Sequence, residues 1–382
     1  MAMTALSIDI MLPALPDIGA TFRVTTDNDR QMVVTAYLGG LAGGQLLWGH
    51  VSDRLGRRVP LLAGLAIYVA GSIAALLAPS FAWLIAARVL QGIGGAAART
   101  IGTAIVRDVF SGREMARTMS FVMMVFIIVP VLAPSAGQGL LYVGNWRWCF
   151  IALLVAGAVA ALWVGLRLPE TRPTARTGHR ALGIGGSLLA VLSNGVTRGY
   201  GLAAGLMFGC LVAYISSAQQ IFVDVYGLGH LFPLAFGAIA VAMALAAFTN
   251  ALLVQRLGMR RLSHTALVAF IGVSGTLAVI TMTGRPPLWL LMALLAGCFY
   301  LFALMQSNFN AIAMQPMGHV AGMASSLLGA CVTGLGVILG GLIGRSFDGS
   351  PLPLAVGFAA LGICALFVIL SVEGRRGLFR GE

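Results

Sequence analysis

Long apolar runs recur from one end of the chain to the other, each closed by Gly, Pro or charged residues. A helix needs about 20 apolar residues to cross a bilayer. On that measure the runs predict twelve spans, at about 1–16, 31–51, 59–78, 82–105, 117–141, 148–168, 199–222, 233–254, 263–283, 288–312, 323–344 and 353–372. The first is short and begins at Met1, so an upstream start or a trimmed chain is expected. The longest polar stretch, PETRPTARTGHR at 169–180, separates six spans from six and reads as a linker. The apolar, Gly-broken stretch at 181–196 predicts a helix lying in the membrane interface. The expected fold class is therefore all-α membrane protein. Its parts are a six-helix bundle over 1–168, a cytoplasmic linker with interfacial helix over 169–198, and a second bundle with a short tail over 199–382.

Composition excludes the main alternatives. Of 382 residues, 59% are hydrophobic and 9% charged. A soluble domain carries roughly 25% charged residues, so a soluble enzyme or nucleic-acid binder is ruled out. The fifty Gly suit close helix packing in lipid. The net charge of +12 comes from 24 basic residues, every one Arg. With the N-terminus placed in the cytoplasm, seventeen Arg fall in inner loops and tail and five in outer loops. Arg88 and Arg99 lie inside span 4. The bias predicts a multi-pass inner-membrane protein with both termini cytoplasmic, and it accounts for the charge without nucleic acid. The five Cys are scattered through apolar runs with no metal spacing, and read as small buried residues. The chain has no Lys and no nucleotide-binding G-x-x-x-x-G-K-[ST] loop, so any pumping must draw on an ion gradient. No cofactor and no metal are expected. The expected partners are the bilayer and a small drug-like molecule, with the chain monomeric.

The halves echo one another. GHVSDRLGRRVPL at 49–61 and ALLVQRLGMRRL at 251–262 place Arg54-Leu55-Gly56 and Arg256-Leu257-Gly258 at an offset of 202, which suggests duplicated halves. The first loop closely resembles the loop 2–3 signature of the major facilitator superfamily, G-x-x-x-D-R-x-G-R-R/K. A positive-inside loop alone accounts for its Arg, but not for Asp53 with Gly49 and Gly56. The resemblance implies a major facilitator fold of about twelve helices in two pseudo-symmetric bundles. It also implies a cytoplasmic latch of Gly49, Asp53, Arg54, Gly56, Arg57 and Arg58, with Asp108 partnering Arg57 or Arg58.

RVLQGIGGAAA at 88–98 resembles the superfamily's R-x-x-Q-G motif in span 4, carried by Arg88, Gln91 and Gly92. The family role is proton coupling; the alternative is an Arg snorkelling to the outer interface. Arg99 follows eleven residues later on nearly the same face, and either lines the cavity or snorkels to inner headgroups. SIDIMLPALP in span 1 resembles the opening of Bcr/CflA (bicyclomycin resistance) exporters, with Met11 where a Tyr is usual. An isolated carboxyl in an apolar span is a group that can carry a proton, so Asp9 is the expected carrier and Arg88 its nearest counter-charge. A purely structural acid is the other reading. VPVLAPSAG at 129–137 resembles the span 5 exporter motif, with Pro130 and Pro134 able to kink the helix and Ala133 and Gly137 offering a small face to span 8. AGMASSLLG at 321–329 and YISSAQQIFVDVYGLG at 214–229 also resemble that group. Gly336, Gly340 and Gly344 are expected to pack on span 2.

The cavity is weakly specified. Tyr37, Gln45, Met123, Gln219, Gln306 and Asn310 are its candidates, beside Gln220, Asn308, Met124 and Met305, and packing alone explains any one of them. The resemblance implies a drug:proton antiporter working by alternating access. Transport of a small polar metabolite is the runner-up, and a non-transporting sensor on the same fold is the third reading. No enzyme activity is expected.

Overall fold

The structure is a computed structural model that describes residues 2–110, 112–171 and 184–374. Twelve helices stand where the spans were predicted. They are α1 (Ala2–Thr21, broken), α2 (Met32–Leu55), α3 (Arg58–Leu76), α4 (Phe81–Val109), α5 (Gly112–Val143) and α6 (Arg147–Arg167). After these come α7 (Gly195–Gln219), α8 (Phe232–Leu257), α9 (Met259–Thr283), α10 (Leu288–Met314), α11 (Ala321–Arg345) and α12 (Leu352–Glu373). Among the described residues, ten segments are long and apolar enough to cross a membrane. The other two helices are α2, whose second half carries Gln45, His50, Asp53 and Arg54, and α5, where the apolar part is the shorter stretch Ile128–Val143. Residues 172–180 of the predicted linker lie outside the described residues. Within the apolar stretch that follows, a short helix covers Ile184–Ser193, and the Asn194 side chain caps α7 by accepting from the Thr197 N–H at 3.0 Å.

Several polar side chains are buried within an apolar core, and many large apolar side chains are exposed. Arg88, Gln91, Ser72, His264 and Asn308 are buried, whereas Trp163, Phe248 and Phe367 are about two-thirds exposed. So many exposed large apolar side chains are unlike the surface of a water-soluble fold and suit a lipid-facing one.

The chain divides into two compact units, residues 2–188 with 320–333, and residues 189–319 with 334–374. In the first, α4 packs on α2 and α3, α3 packs on α6, and α1 packs on α5. The α2–α4 crossing is closed by two glycines: a Cβ at Gly40 would collide with the Val89 carbonyl, and one at Gly92 with the Tyr37 carbonyl. In the second, α10 packs on α8, α9 and α7, and α12 packs on α7 and α9. Gly336, Gly340 and Gly344 do not serve span 2 as expected. Their open faces receive α7, at Phe208, Gly209 and Ser216. A stripe of small residues marks a close crossing but carries no mark of its partner.

Two helices depart from simple rods. In α1 the helix stops at Asp9, makes one tight turn at Leu12–Ala14 and resumes over Leu15–Thr21. Pro13 lacks the N–H that would bond the Asp9 carbonyl, and its ring clashes there; Pro16 does the same to Leu12. By contrast, Pro130 and Pro134 both lie inside one continuous α5.

Candidate functional site

The α2–α3 loop is built around one buried guanidinium. Gly56 ends α2 with φ +90°, in the left-handed region that favours glycine, and so brings Arg57 back beneath α2. Arg57 Nε donates to Asp108 Oδ2 at 2.7 Å, and its Nη1 donates to Asp53 Oδ1 at 2.7 Å and Ser52 Oγ at 3.0 Å. Burial works against the charge of Arg57, and the two carboxylates more than offset it, holding the group protonated. Of the two partners the resemblance left open for Asp108, the structure selects Arg57. Arg58 instead donates from Nη2 to the Gly165 carbonyl at 2.7 Å. Arg54 is exposed. Gly49 leaves room for Ser326, whose hydroxyl occupies the space of a Cβ.

Sequence reasoning missed Glu170. Its carboxylate accepts the Arg57 N–H at 2.8 Å and the Arg58 N–H at 3.2 Å, capping the start of α3. The signal was an acid at the end of α6 facing a loop of three arginines, but it reads as part of the linker.

Deeper in the first unit, Arg88 is fully buried. Its Nε donates to the Val33 carbonyl at 2.9 Å, Nη2 to the Ser7 carbonyl at 2.9 Å and Nη1 to Gln91 Oε1 at 2.5 Å. Gln91 in turn donates to Ser72 Oγ at 2.7 Å. The guanidinium lies 4.6 Å from the centre of the Tyr37 ring, a cation–π contact. Tyr37 is thus a packed support for Arg88. Ser7, Ser72 and Tyr68, whose hydroxyl meets Ser7 Oγ at 2.6 Å, complete a network no motif announced.

The expected Asp9–Arg88 pair is not formed. Arg88 reaches the backbone of Ser7, two residues short of Asp9, and its donors go to carbonyls. Asp9 is buried at the break of α1, and among the described residues its carboxyl has neither a hydrogen bond nor an ion pair. The span 5 motif meets this break. A Cβ at Gly137 would strike the Ile10 carbonyl and lie 3.1 Å from Pro13, so Gly137 receives α1, not span 8.

Arg99, three turns beyond Arg88, is half-buried, and no hydrogen bond or ion pair reaches its side chain among the described residues. Next to it a cavity of about 390 Å³ opens, lined by Ala2 of α1, by Gly102, Thr103 and Val106 of α4, and by Phe121 and Val125 of α5.

The remaining cavity candidates separate. Gln45 is buried and donates to Thr333 Oγ1 at 3.2 Å. The Met123 side chain lies outside what the structure describes. Gln219 is buried at the end of α7, where a π-turn follows over Gln220–Val225, and it donates weakly to Asp224 at 3.4 Å. Gln306 Oε1 is buried without a hydrogen-bond partner. Asn310 is exposed and bonds back to the Gln306 carbonyl at 2.8 Å. The buried residue of that helix is Asn308, which donates to Asn250 Oδ1 at 2.6 Å. A span without amphipathic bias carries no sign of which Asn faces inward.

A second polar cluster was not anticipated. Arg260 Nε donates to Glu373 Oε1 at 2.9 Å, the Tyr200 hydroxyl donates to the same oxygen at 2.9 Å, and His264 Nε2 lies 2.9 Å from that hydroxyl.

Residues 1–341 match the model of the Major Facilitator Superfamily. The chain is 32% identical over 347 residues to the "Uncharacterized MFS-type transporter YdgK" of Bacillus subtilis (strain 168), covering 89% of this chain and 85% of the relative. It is 27% identical over 373 residues to the "Bicyclomycin resistance protein homolog" of Haemophilus influenzae, covering 95% and 91%. Its fold is shared with the xylose transporter XylE from E. coli in a partially occluded inward open conformation. The TM-score is 0.72 at 14% identity, covering 97% of this chain and 95% of that one.

Proposed function

From the premise that the chain belongs to the major facilitator superfamily and is a multi-pass membrane transporter, we propose that it exports drug-like amphipathic molecules in exchange for protons. It does so by alternating access, across the inner membrane, with both termini cytoplasmic. The name of the bicyclomycin resistance homolog supports the substrate class.

The observation that carries the proton part is Asp9. A buried carboxyl with no partner among the described residues stands where the helix is already broken and α5 approaches through Gly137. An intramembrane acid in such a place is a functional site by default. Protonation of its carboxylate from outside favours drug release, and loss of the proton inside restores drug binding. Arg88 acts through packing: it ties α4 to the carbonyls of α1 and α2 and so holds the frame around Asp9. The cluster of Asp53, Arg57 and Asp108 biases the conformational equilibrium from the inner face.

In everted vesicles, Asp9→Asn should abolish drug-driven proton release while neutral drugs still bind. Proton-driven accumulation of a neutral drug at the parent's rate by Asp9→Asn would sink this reading. Orientation is tested separately: a single Cys at position 176 should react with an impermeant thiol reagent in everted vesicles and stay unlabelled in intact cells. Labelling of intact cells would reverse the topology.

A further inference from the structure

The α4 helix carries two cations on one face, and only one of them is satisfied. Arg88 has three hydrogen bonds and an aromatic ring beneath it. Arg99 has no such partners among the described residues. An arginine within the membrane span costs at least ~2.5–3.5 kcal/mol unless it meets a partner or water, so the second cation calls for a ligand.

The surroundings say which. Thr103 and Val106 lie one and two turns beyond Arg99, on its own side of the helix, and both line the 390 Å³ cavity. That volume lies in the range of small-molecule sites, about 300–1,000 Å³. Its other walls are apolar, from Ala2, Phe121 and Val125. Gly102 is part of the lining, and a Cβ built on it meets nothing within 4 Å, so the space in front of it is open. On the other side of Arg99, one turn back, a Cβ at Gly95 would lie 2.6 Å from the Tyr37 hydroxyl. That hydroxyl is buried against Ser7 and Thr4 of α1. Arg99 is not itself part of the lining; it stands beside Ala98, which is, and one turn before Gly102 and Thr103, on the face of α4 along which this apolar chamber lies.

We propose that this cavity is a binding site for anionic amphiphiles. Arg99 takes the carboxylate, sulfonate or phosphate head through charge-assisted hydrogen bonds, and the alanine, valine and phenylalanine walls take the apolar body. The inference rests on the export reading above and narrows its substrate class to molecules with a negative head.

The test uses a fluorescent pair of one shape, 5-dimethylaminonaphthalene-1-sulfonate and its neutral sulfonamide. Binding is measured to the purified full chain in phosphatidylcholine nanodiscs, and uptake in everted vesicles. The parent should bind the sulfonate more tightly. Arg99→Gln should lower the ratio of the two affinities roughly 10–100-fold, the worth of a charged hydrogen bond, and Arg99→Lys should recover most of it. Gly102→Leu, which fills open space, should weaken both ligands about tenfold or more. Equal affinity for the two ligands in the parent overturns the proposal whether or not Arg99→Gln folds. So does sulfonate binding that survives Gly102→Leu intact. Displacement of the sulfonate when phosphatidylglycerol is added assigns Arg99 to lipid headgroups, and overturns it too. Sulfonate bound but never moved in vesicles refutes export and leaves the site standing. Drugs exported with no sulfonate bound refute the site and leave export standing.

Discussion

Two loops of the molecule carry nearly the same letters and are wired differently. Arg54-Leu55-Gly56 closes α2 and Arg256-Leu257-Gly258 closes α8, each with its Gly at positive φ, +90° and +77°. Counting on by the same offset, Gln255 stands where Asp53 does and Met259 where Arg57 does. The first loop thus buries a guanidinium between two carboxylates. The second keeps the turn and loses both members of the α2-type pair. Its Arg260 reaches instead to Glu373 at the end of α12. Each half also has an acid at or just past the end of its sixth long helix, put to different use. Glu170 caps the backbone of α3, while Glu373 gathers Arg260 and Tyr200. The turn is a matter of chain geometry and needs only a glycine. The electrostatics are independent of it, and in the first half they are concentrated on one side chain.

The sharpest way to break the comparison is to remove each arginine. In the Arg57–Asp108 pair the side chains are 6% and 5% exposed. Arg57→Ala leaves the Asp108 carboxylate buried without its cation, which costs about 3–5 kcal/mol. In the Arg260–Glu373 pair the side chains are 25% and 16% exposed, and Tyr200 stays on the acid. Screening reduces that pair to about 1 kcal/mol. Thermal unfolding in detergent should therefore show a much larger fall for Arg57→Ala than for Arg260→Ala. Equal falls would mean that the two loops are held alike.

A smaller effect sharpens the functional side. The Asp53 side chain is 35% exposed, so Asp53→Asn should cost under about 1 kcal/mol of stability. It should nonetheless slow transport severalfold while drug affinity stays near the parent's, because the residue lies in the last turn of α2, bonded to Arg57. Loss of affinity in step with transport would place Asp53 in the binding site or the fold.

What could be read in the letters follows the same division. Most of the helices were legible because lipid demands long apolar runs, and α2 and α5, whose runs are broken by polar residues, because their apolar parts still stand out between Gly, Pro and charged breaks. Asp108 as a partner of Arg57 or Arg58 was legible only through the resemblance of the loop to the superfamily signature, and which of the two it takes was not. Arg88 itself was legible, but its partners were not: two are carbonyls of Val33 and Ser7, and every residue has a carbonyl. For the same reason the Asp9–Arg88 pairing was expected and is absent, the arginine having found acceptors nearer than the acid. Gly137 was legible as a close contact but not as a contact with α1, since a missing side chain does not name what fills its place. Asn308 and Asn310 could not be told apart, because their helix is apolar on all sides and packing alone decides which face turns in. The cavity beside Arg99 depends on the approach of α1, α4 and α5, a relation no local spacing records.

The way Arg88 is held bears on how this protein can change over time. Two of its three acceptors are main-chain atoms, and a substitution at Val33 or Ser7 alters the side chain while leaving the acceptor in place. The arginine is insulated from drift in its neighbours so long as the helices keep their crossing. Selection on this part of the molecule therefore acts through Gly40 and Gly92, which set that crossing, more than through the residues that touch the charge.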